Sequence, residues 1–284
     1  MALKTLRTLA LAAAFAAAAV PALAQTTEDR TQDRVAFPAH KIIGNLYYVG
    51  TGTLNSFLIT TPQGHILINT NFEETVPLME QSLQKLGFKW SDVKVILGSH
   101  AHGDHMQANG MVKELTGAQV MVMEQDVPAM KNMKSPAGKV QAIDRVLKDG
   151  EVVTFGGMNL TAHLTPGHTR GCTTWTFPVT EAGRTYNVLI ACGGLQEDAR
   201  LVGNKNYPEI AEHFGQSIKK YKTFKPDIFL ASHSWFFDLA GKYKRLQAGA
   251  NPNPYIDAAG YRAWVDNMEK NYNTLIAEQK KAVQ

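Results

Sequence analysis

The run Ser99-His100-Ala101-His102-Gly103-Asp104-His105 constrains this chain more than any other segment, because it gathers three imidazoles and a carboxylate on one glycine-containing turn. Imidazole nitrogen and carboxylate oxygen suit Zn²⁺ and related divalent ions, and a catalytic zinc takes three protein ligands while keeping a position open. Four clustered ligands exceed the need of one such ion and imply two. His100 and His102 reach one ion, Asp104 and His105 the other, and each site is short of one ligand. The preceding run Val93-Lys-Val-Ile-Leu-Gly98 reads as a strand, which fixes where the ligands point. A solvated histidine tract has no need of such a strand. Any fold for this chain must therefore carry distant ligands to the end of that strand.

Nine histidines supply the candidates. His168 lies in Leu164-Thr-Pro-Gly-His-Thr-Arg-Gly171, a Pro- and Gly-punctuated loop after the strand-like run from Met158 to His163. His233 follows the apolar run Ile228-Phe-Leu-Ala231, which reads as a buried strand. Both sit where strands end, and both fit as the missing ligands. His40, His65, His163 and His213 are assigned to packing or to support of the ligands, with His163, five residues before His168, expected nearest the metals.

Residues 1–24 read as a secretory signal peptide: Lys4 and Arg7 form the basic region, Leu9 to Val20 the apolar run, and Ala22-Leu-Ala24 the small-residue cleavage pattern. Cleavage after Ala24 leaves residues 25–284, a length that fits one large α/β domain or two small ones, in a periplasmic or secreted location. The alternative, a membrane anchor, fits poorly with Pro21 and a short Ala-rich run, and no later segment is long and apolar enough to span a bilayer. Losing Lys4 and Arg7 lowers the net charge from +4 to +2, so there is no electrostatic footprint for nucleic acid or an anionic membrane. A small-molecule substrate is the expected partner. Two cysteines, Cys172 and Cys192, exclude a dense disulfide framework. A hairpin turning at Glu181-Ala-Gly-Arg184 brings them roughly opposite each other, leaving both a disulfide and two buried thiols open.

Along the chain, Leu46 to Asn69 reads as a β-meander, and Val76, Met79, Leu83 and Leu86 mark an amphipathic helix capped by Gly87. A helix from about Gln107 to Leu115 and a strand from Gln119 to Met123 continue a β-α-β order, and the polar interval from Lys131 to Gly150 reads as a mobile loop. Strands resume to Ala191, followed by a helix from Pro208 to about Thr223, a strand at Ile228, a short helix after Asp238 and a C-terminal helix from about Asp257. Its last stretch, Glu278 to Gln284, reads as a fraying end. Two strand-rich blocks, each followed by helices, predict two face-to-face sheets with helices outside.

These features resemble the metallo-β-lactamase superfamily, with its His-x-His-x-Asp-His turn and later single histidine ligands, over essentially the whole mature chain. The chain looks most like class B β-lactamases of subclass 3, through Ser56-Phe-Leu-Ile-Thr60, Ile66-Leu-Ile68, Thr165-Pro-Gly-His-Thr169, Asn251-Pro-Asn-Pro254 and Ala259-Gly-Tyr-Arg-Ala263. The resemblance implies a four-layer αββα sandwich and two Zn²⁺ ions. It implies His100, His102 and His168 on the first ion and Asp104, His105 and His233 on the second. It further implies a zinc-bound hydroxide that attacks the β-lactam carbonyl, oriented by Asp104 as a catalytic residue. The second zinc would stabilise the nitrogen anion of the opened ring while water protonates it.

The chain departs from the family pattern at three places. Asn69 stands where members often carry an aspartate that braces the metal turn. The stretch Cys192-Gly-Gly-Leu-Gln196 lacks the serines that often help bind the substrate carboxylate, leaving Gln196 and Arg200 as candidates. A further disulfide common in the subclass is missing, with Pro226 near one expected cysteine. Competing readings are a lactonase, a glyoxalase II-like enzyme or another ester or thioester hydrolase, which usually supply a bridging aspartate after the hairpin. A persulfide dioxygenase would use a single iron. Flavodiiron proteins place Glu where this chain has His102 and need a flavin domain, and a non-catalytic metal binder has little reason to keep such a cluster on loops.

Overall fold

A computed structural model describes residues 30–196 and 198–282 of the chain. The proposed signal peptide and its cleavage point lie outside the described residues. The first sheet has seven strands in sequential order: β1 (His40–Ile43), β2 (Leu46–Tyr48), β3 (Phe57–Thr61), β4 (Gly64–Ile68), β5 (Val93–Leu97), β6 (Gln119–Met123) and β7 (Arg145–Leu147). Strands β1 to β4 form the antiparallel meander, and β4 to β7 run parallel. The near-continuous apolar runs of β4 and β5 follow from burial on both faces. Ile66 and Ile68 face the second sheet, whereas Leu67 points to the opposite side, toward Met79 and Leu83 of α1 (Val76–Lys85).

The second sheet is ordered β12-β11-β10-β9-β8, comprising β8 (Val152–Phe155), β9 (Met158–Leu164), β10 (Thr173–Glu181), β11 (Arg184–Ala191) and β12 (Ile228–Ala231). Ala182 and Gly183 take positive φ of 49° and 78°, the two-residue turn whose twist matches a hairpin. Phe214, Ile218 and Tyr221 of α5 (Ile210–Tyr221) and Tyr261 and Val265 of α7 (Ala258–Ala282) share a core with Ile228 and Phe229. The result is the expected αββα sandwich. Trp175, fully buried between the sheets, donates from Nε1 to the Gly98 carbonyl at 3.0 Å, and Thr173 N donates to Ser99 O at 2.7 Å. These two bonds fasten the end of β5 to the start of β10.

Several boundaries differ from the sequence reading. The helix expected from Gln107 to Leu115 is α3 (Asn109–Thr116), and a separate short helix, α2 (Gly103–Met106), precedes it because the histidine turn is itself helical, with Asp104 and His105 within α2. The interval expected to be a mobile loop begins inside α4 (Val127–Asn132), contains β7, and is pinned at Ala137 N, which donates to Glu73 Oε2 at 2.8 Å. The C-terminal end is also held: Gln279 Oε1 accepts from Leu201 N and Val202 N, and its Nε2 donates to Ala199 O. α6 (Leu239–Gln247) is the short helix after Asp238, whose side chain caps it at Gly241 N.

Cys172 and Cys192 form a disulfide with Cα atoms 5.6 Å apart. The register pairs Trp175 with Ile190, so the cysteines lie just beyond the ladder and are offset by one residue rather than directly opposed. Replacing Trp175 by Phe keeps most of the ring but strands the Gly98 carbonyl. Urea denaturation should show a loss of about 1–3 kcal/mol with an unchanged m-value.

Candidate metal centre

Three parts of the chain meet where the two sheets come together. The turn after β5 carries His100, His102, Asp104 and His105, the loop between β9 and β10 carries His168, and the end of β12 carries His233. His168 Nε2 lies 3.1 Å from His100 Nε2, and the His102 ring is centred 4.7 Å from His100 and 4.8 Å from His168. On the other side, His105 Nε2 is 3.1 Å from His233 Nε2, and Asp104 Oδ2 is 3.5 Å and 3.6 Å from these two nitrogens. All six sequence-selected residues therefore converge. The two trios also share a border, since His100 has a ligand atom within 4.8 Å of those of Asp104 and His105.

The environment keeps the imidazoles neutral. Burial, followed by neighbouring rings, pushes His168 down to about 3, and burial pushes His105 down to about 4 against the opposing pull of Asp104. His100 and His233 are likewise held well below the ordinary histidine range by burial and then by adjacent histidines. Burial opposes ionisation of Asp104, but His105, His233, His102 and Arg30 outweigh it and hold its carboxyl well below the usual range. Neutral imidazoles gathered around one carboxylate are a donor set that fits Zn²⁺.

Two further residues brace the centre. Asp126, buried between β6 and α4, accepts from Ala101 N at 2.8 Å, Gly171 N at 2.7 Å and Thr169 Oγ1 at 2.9 Å. One carboxylate thus joins the turn bearing His100 and His102 to the loop bearing His168. A Cβ on Gly171 would stand 2.5 Å from Asp126 N, so glycine permits this approach. Arg30 donates from Nη1 to Asp104 Oδ2 at 3.2 Å. The sequence signal for Asp126 is slight, an acid two residues before Pro128 at a helix start, and Arg30 has none.

The other expectations divide. His163 does not reach the metals; its Nε2 meets Thr176 Oγ1 at 2.7 Å and its ring packs on Phe224, because its β9 position points away from the facing sheet. His40 bonds Tyr255 Oη, His213 bonds Tyr207 Oη, and His65 packs edge-on against Phe88. Arg200 turns its Nε toward Val202 O within its own loop. Gly193 passes close to the metal histidines, where an added Cβ would lie 3.2 Å from the His168 ring, and Gly194 passes Phe236. Trp235 stacks on His233 with ring centres 4.1 Å apart.

The sequence pattern of the metallo-beta-lactamase superfamily matches residues 49–182. Among solved structures, the chain is similar to the native FEZ-1 metallo-beta-lactamase from Legionella gormanii, with 43% identity, TM-score 0.81 and coverage of 87% of this chain and 98% of that one. It is also similar to BJP-1, a subclass B3 metallo-beta-lactamase of Bradyrhizobium japonicum, at 32% identity and TM-score 0.82 over 89% and 99% of the two chains. A hydroxyacylglutathione hydrolase of Brucella anthropi is 30% identical over 146 residues, and the match spans 51% of each protein. The chain therefore covers about half the length of that curated relative.

Two outcomes check the geometry of the centre. Asp126→Ala strands buried donors on both loops and should lower zinc affinity at the His100 side by about 10–100-fold, read by competition with a chromogenic chelator. In chelator-treated protein, the depressed histidines bind protons in the unfolded chain before the folded one. Stability should therefore be full above about pH 6.5 and fall as pH drops toward about 4 and then 3, seen as a declining Tm.

Proposed function

This chain belongs to the metallo-β-lactamase superfamily, and from that membership and its site we propose that it is a zinc hydrolase that opens the β-lactam ring of penicillins, cephalosporins and carbapenems. The observation that carries the reading is the pair of ligand trios at one rim, coupled with 43% identity to a β-lactamase over nearly all of that enzyme. His100, His102 and His168 would hold one zinc, and Asp104, His105 and His233 a second. Bound zinc supplies a Lewis acid for the ring carbonyl and lowers the pKa of water to about 7.

The chain's own groups account for the rest. Asp104 stays ionised at working pH, so it accepts a proton-bearing partner and serves to orient the attacking water. The Trp235 and Phe236 rings beside His233 form an apolar wall that limits water around the reacting amide. Recognition of the substrate carboxylate falls to Gln196 for want of serines after the hairpin, as Arg200 bonds within its own loop. Export to the periplasm fits the Cys172–Cys192 disulfide, a bond that persists in oxidising compartments. There the enzyme would protect a cell from β-lactams.

A thioester hydrolase is the second reading, favoured by the hydroxyacylglutathione hydrolase relative. Against it, Cys192 to Gln196 offers no carboxylate to bridge two ions, and Gly193 lies against His168 instead.

The purified protein should carry about two zinc ions by the three-ligand count and hydrolyse nitrocefin and a carbapenem faster than a glutathione thioester. Chelation should abolish turnover and zinc restore it. Faster thioester cleavage, or one tightly held iron, would overturn the assignment. Gln196→Ala should raise KM with kcat unchanged, because it removes a donor assigned to uniform substrate binding.

A further inference from the structure

Asn69 sits at the end of β4, fully buried, with its amide between the metal turn and the loop at Asn55. Its Oδ1 accepts from Ser99 N at 2.9 Å, and its Nδ2 donates to Asn55 O at 3.2 Å. These partners fix which end of the amide is which, since exchanging them would set oxygen against oxygen and N–H against N–H. The same Nδ2 faces His105 Nδ1 at 3.4 Å. A donor stands where a metal-binding histidine needs an acceptor.

A histidine that ligates through Nε2 carries its proton on Nδ1 and normally donates it to a carboxylate, carbonyl or water. His233 meets that requirement, with Nδ1 3.3 Å from Thr53 O. His100 meets it through the Ser99 hydroxyl, 3.1 Å from its Nδ1. His105 does not. With Asn69 donating to its Nδ1, the proton is held on Nε2, the atom turned toward Asp104 and His233. A cation held by Asp104, His105 and His233 has to displace that proton to Nδ1 and set it against the Asn69 amide.

We propose that Asn69 is a positioning residue that holds His105 in the tautomer unable to bind a cation, making the Asp104–His105–His233 site the weaker of the two and the last to fill. The inference rests on the two-ion reading above. It goes further by assigning an order of loading and the side chain that sets it.

The test uses the mature protein freed of metal, with Co²⁺ and Zn²⁺ binding isotherms and nitrogen-15 NMR of the histidine side chains. Wild type should bind two ions in separated steps, and in the metal-free protein the His105 ring should be protonated on Nε2. Asn69→Asp supplies an acceptor, so His105 should shift to the Nδ1–H form and the weaker site tighten by about 10–100-fold, with the stronger site unchanged. An Nδ1–H His105 in metal-free wild type overturns the proposal, and that measurement does not depend on the variant folding. Equal affinities for both ions in wild type and Asn69→Asp overturn it while leaving the two-ion reading intact. A single ion in both proteins at saturation overturns the two-ion reading and this inference with it.

Discussion

The Asp126 carboxylate is the contact on which the rest of the centre depends. It is buried without a cationic partner, and burial raises its pKa against the pull of its hydrogen bonds to Ala101, Thr169 and Gly171. Those bonds reach 25 residues back along the chain to Ala101 and 43 and 45 residues forward to Thr169 and Gly171. Metal ligation demands positions good to a fraction of an ångström, yet loops are the most variable part of a fold. Asp126, with the Trp175 and Thr173 bonds beneath it, turns two loops into one rigid rim.

The electrostatic character of the rim is set by what it lacks. Six ligands bring one carboxylate among five neutral rings, so the protein itself supplies little of the charge that a pair of divalent ions would carry. Arg30 donates to Asp104 and also lies 4.0 Å from Asp33. The supports of the rim differ: hydroxyl and carbonyl oxygens steady His100 and His233, one in each trio, and an amide nitrogen meets His105.

The convergence of the six residues was legible in the sequence because the segments that carry them follow strands, and strand endings announce themselves through apolar runs broken by Gly, Pro or Ser. His100 after Val93–Leu97 and His233 after Ile228–Ala231 are of this kind. The αββα layering was legible in the two strand-rich blocks each followed by helices, and the near-continuous apolar run of β4 records two covered faces. His163 misled because proximity in sequence to His168 says nothing about which face of β9 a side chain takes. Asp126 and Arg30 were invisible because their partners are backbone amides and a side chain from remote segments. The pinning of the segment after α4 by Glu73, and of the loop after Arg200 by Gln279, escaped notice on the same ground: polar composition suggests freedom, and only tertiary contacts remove it.

Gly193 and Gly194 have a bearing on how this protein can change over generations. Residues beside a reaction centre are usually the ones that drift when an enzyme acquires a new preference, and the strip after the hairpin lies against the His168 ring. Here the His168 ring and the Phe236 ring occupy the space that side chains would need. Selection for a broader or narrower range would therefore find these two positions closed and would have to work through their neighbours farther out, Gln196 foremost. The site's capacity for innovation is bounded by the two residues with the least to offer chemically.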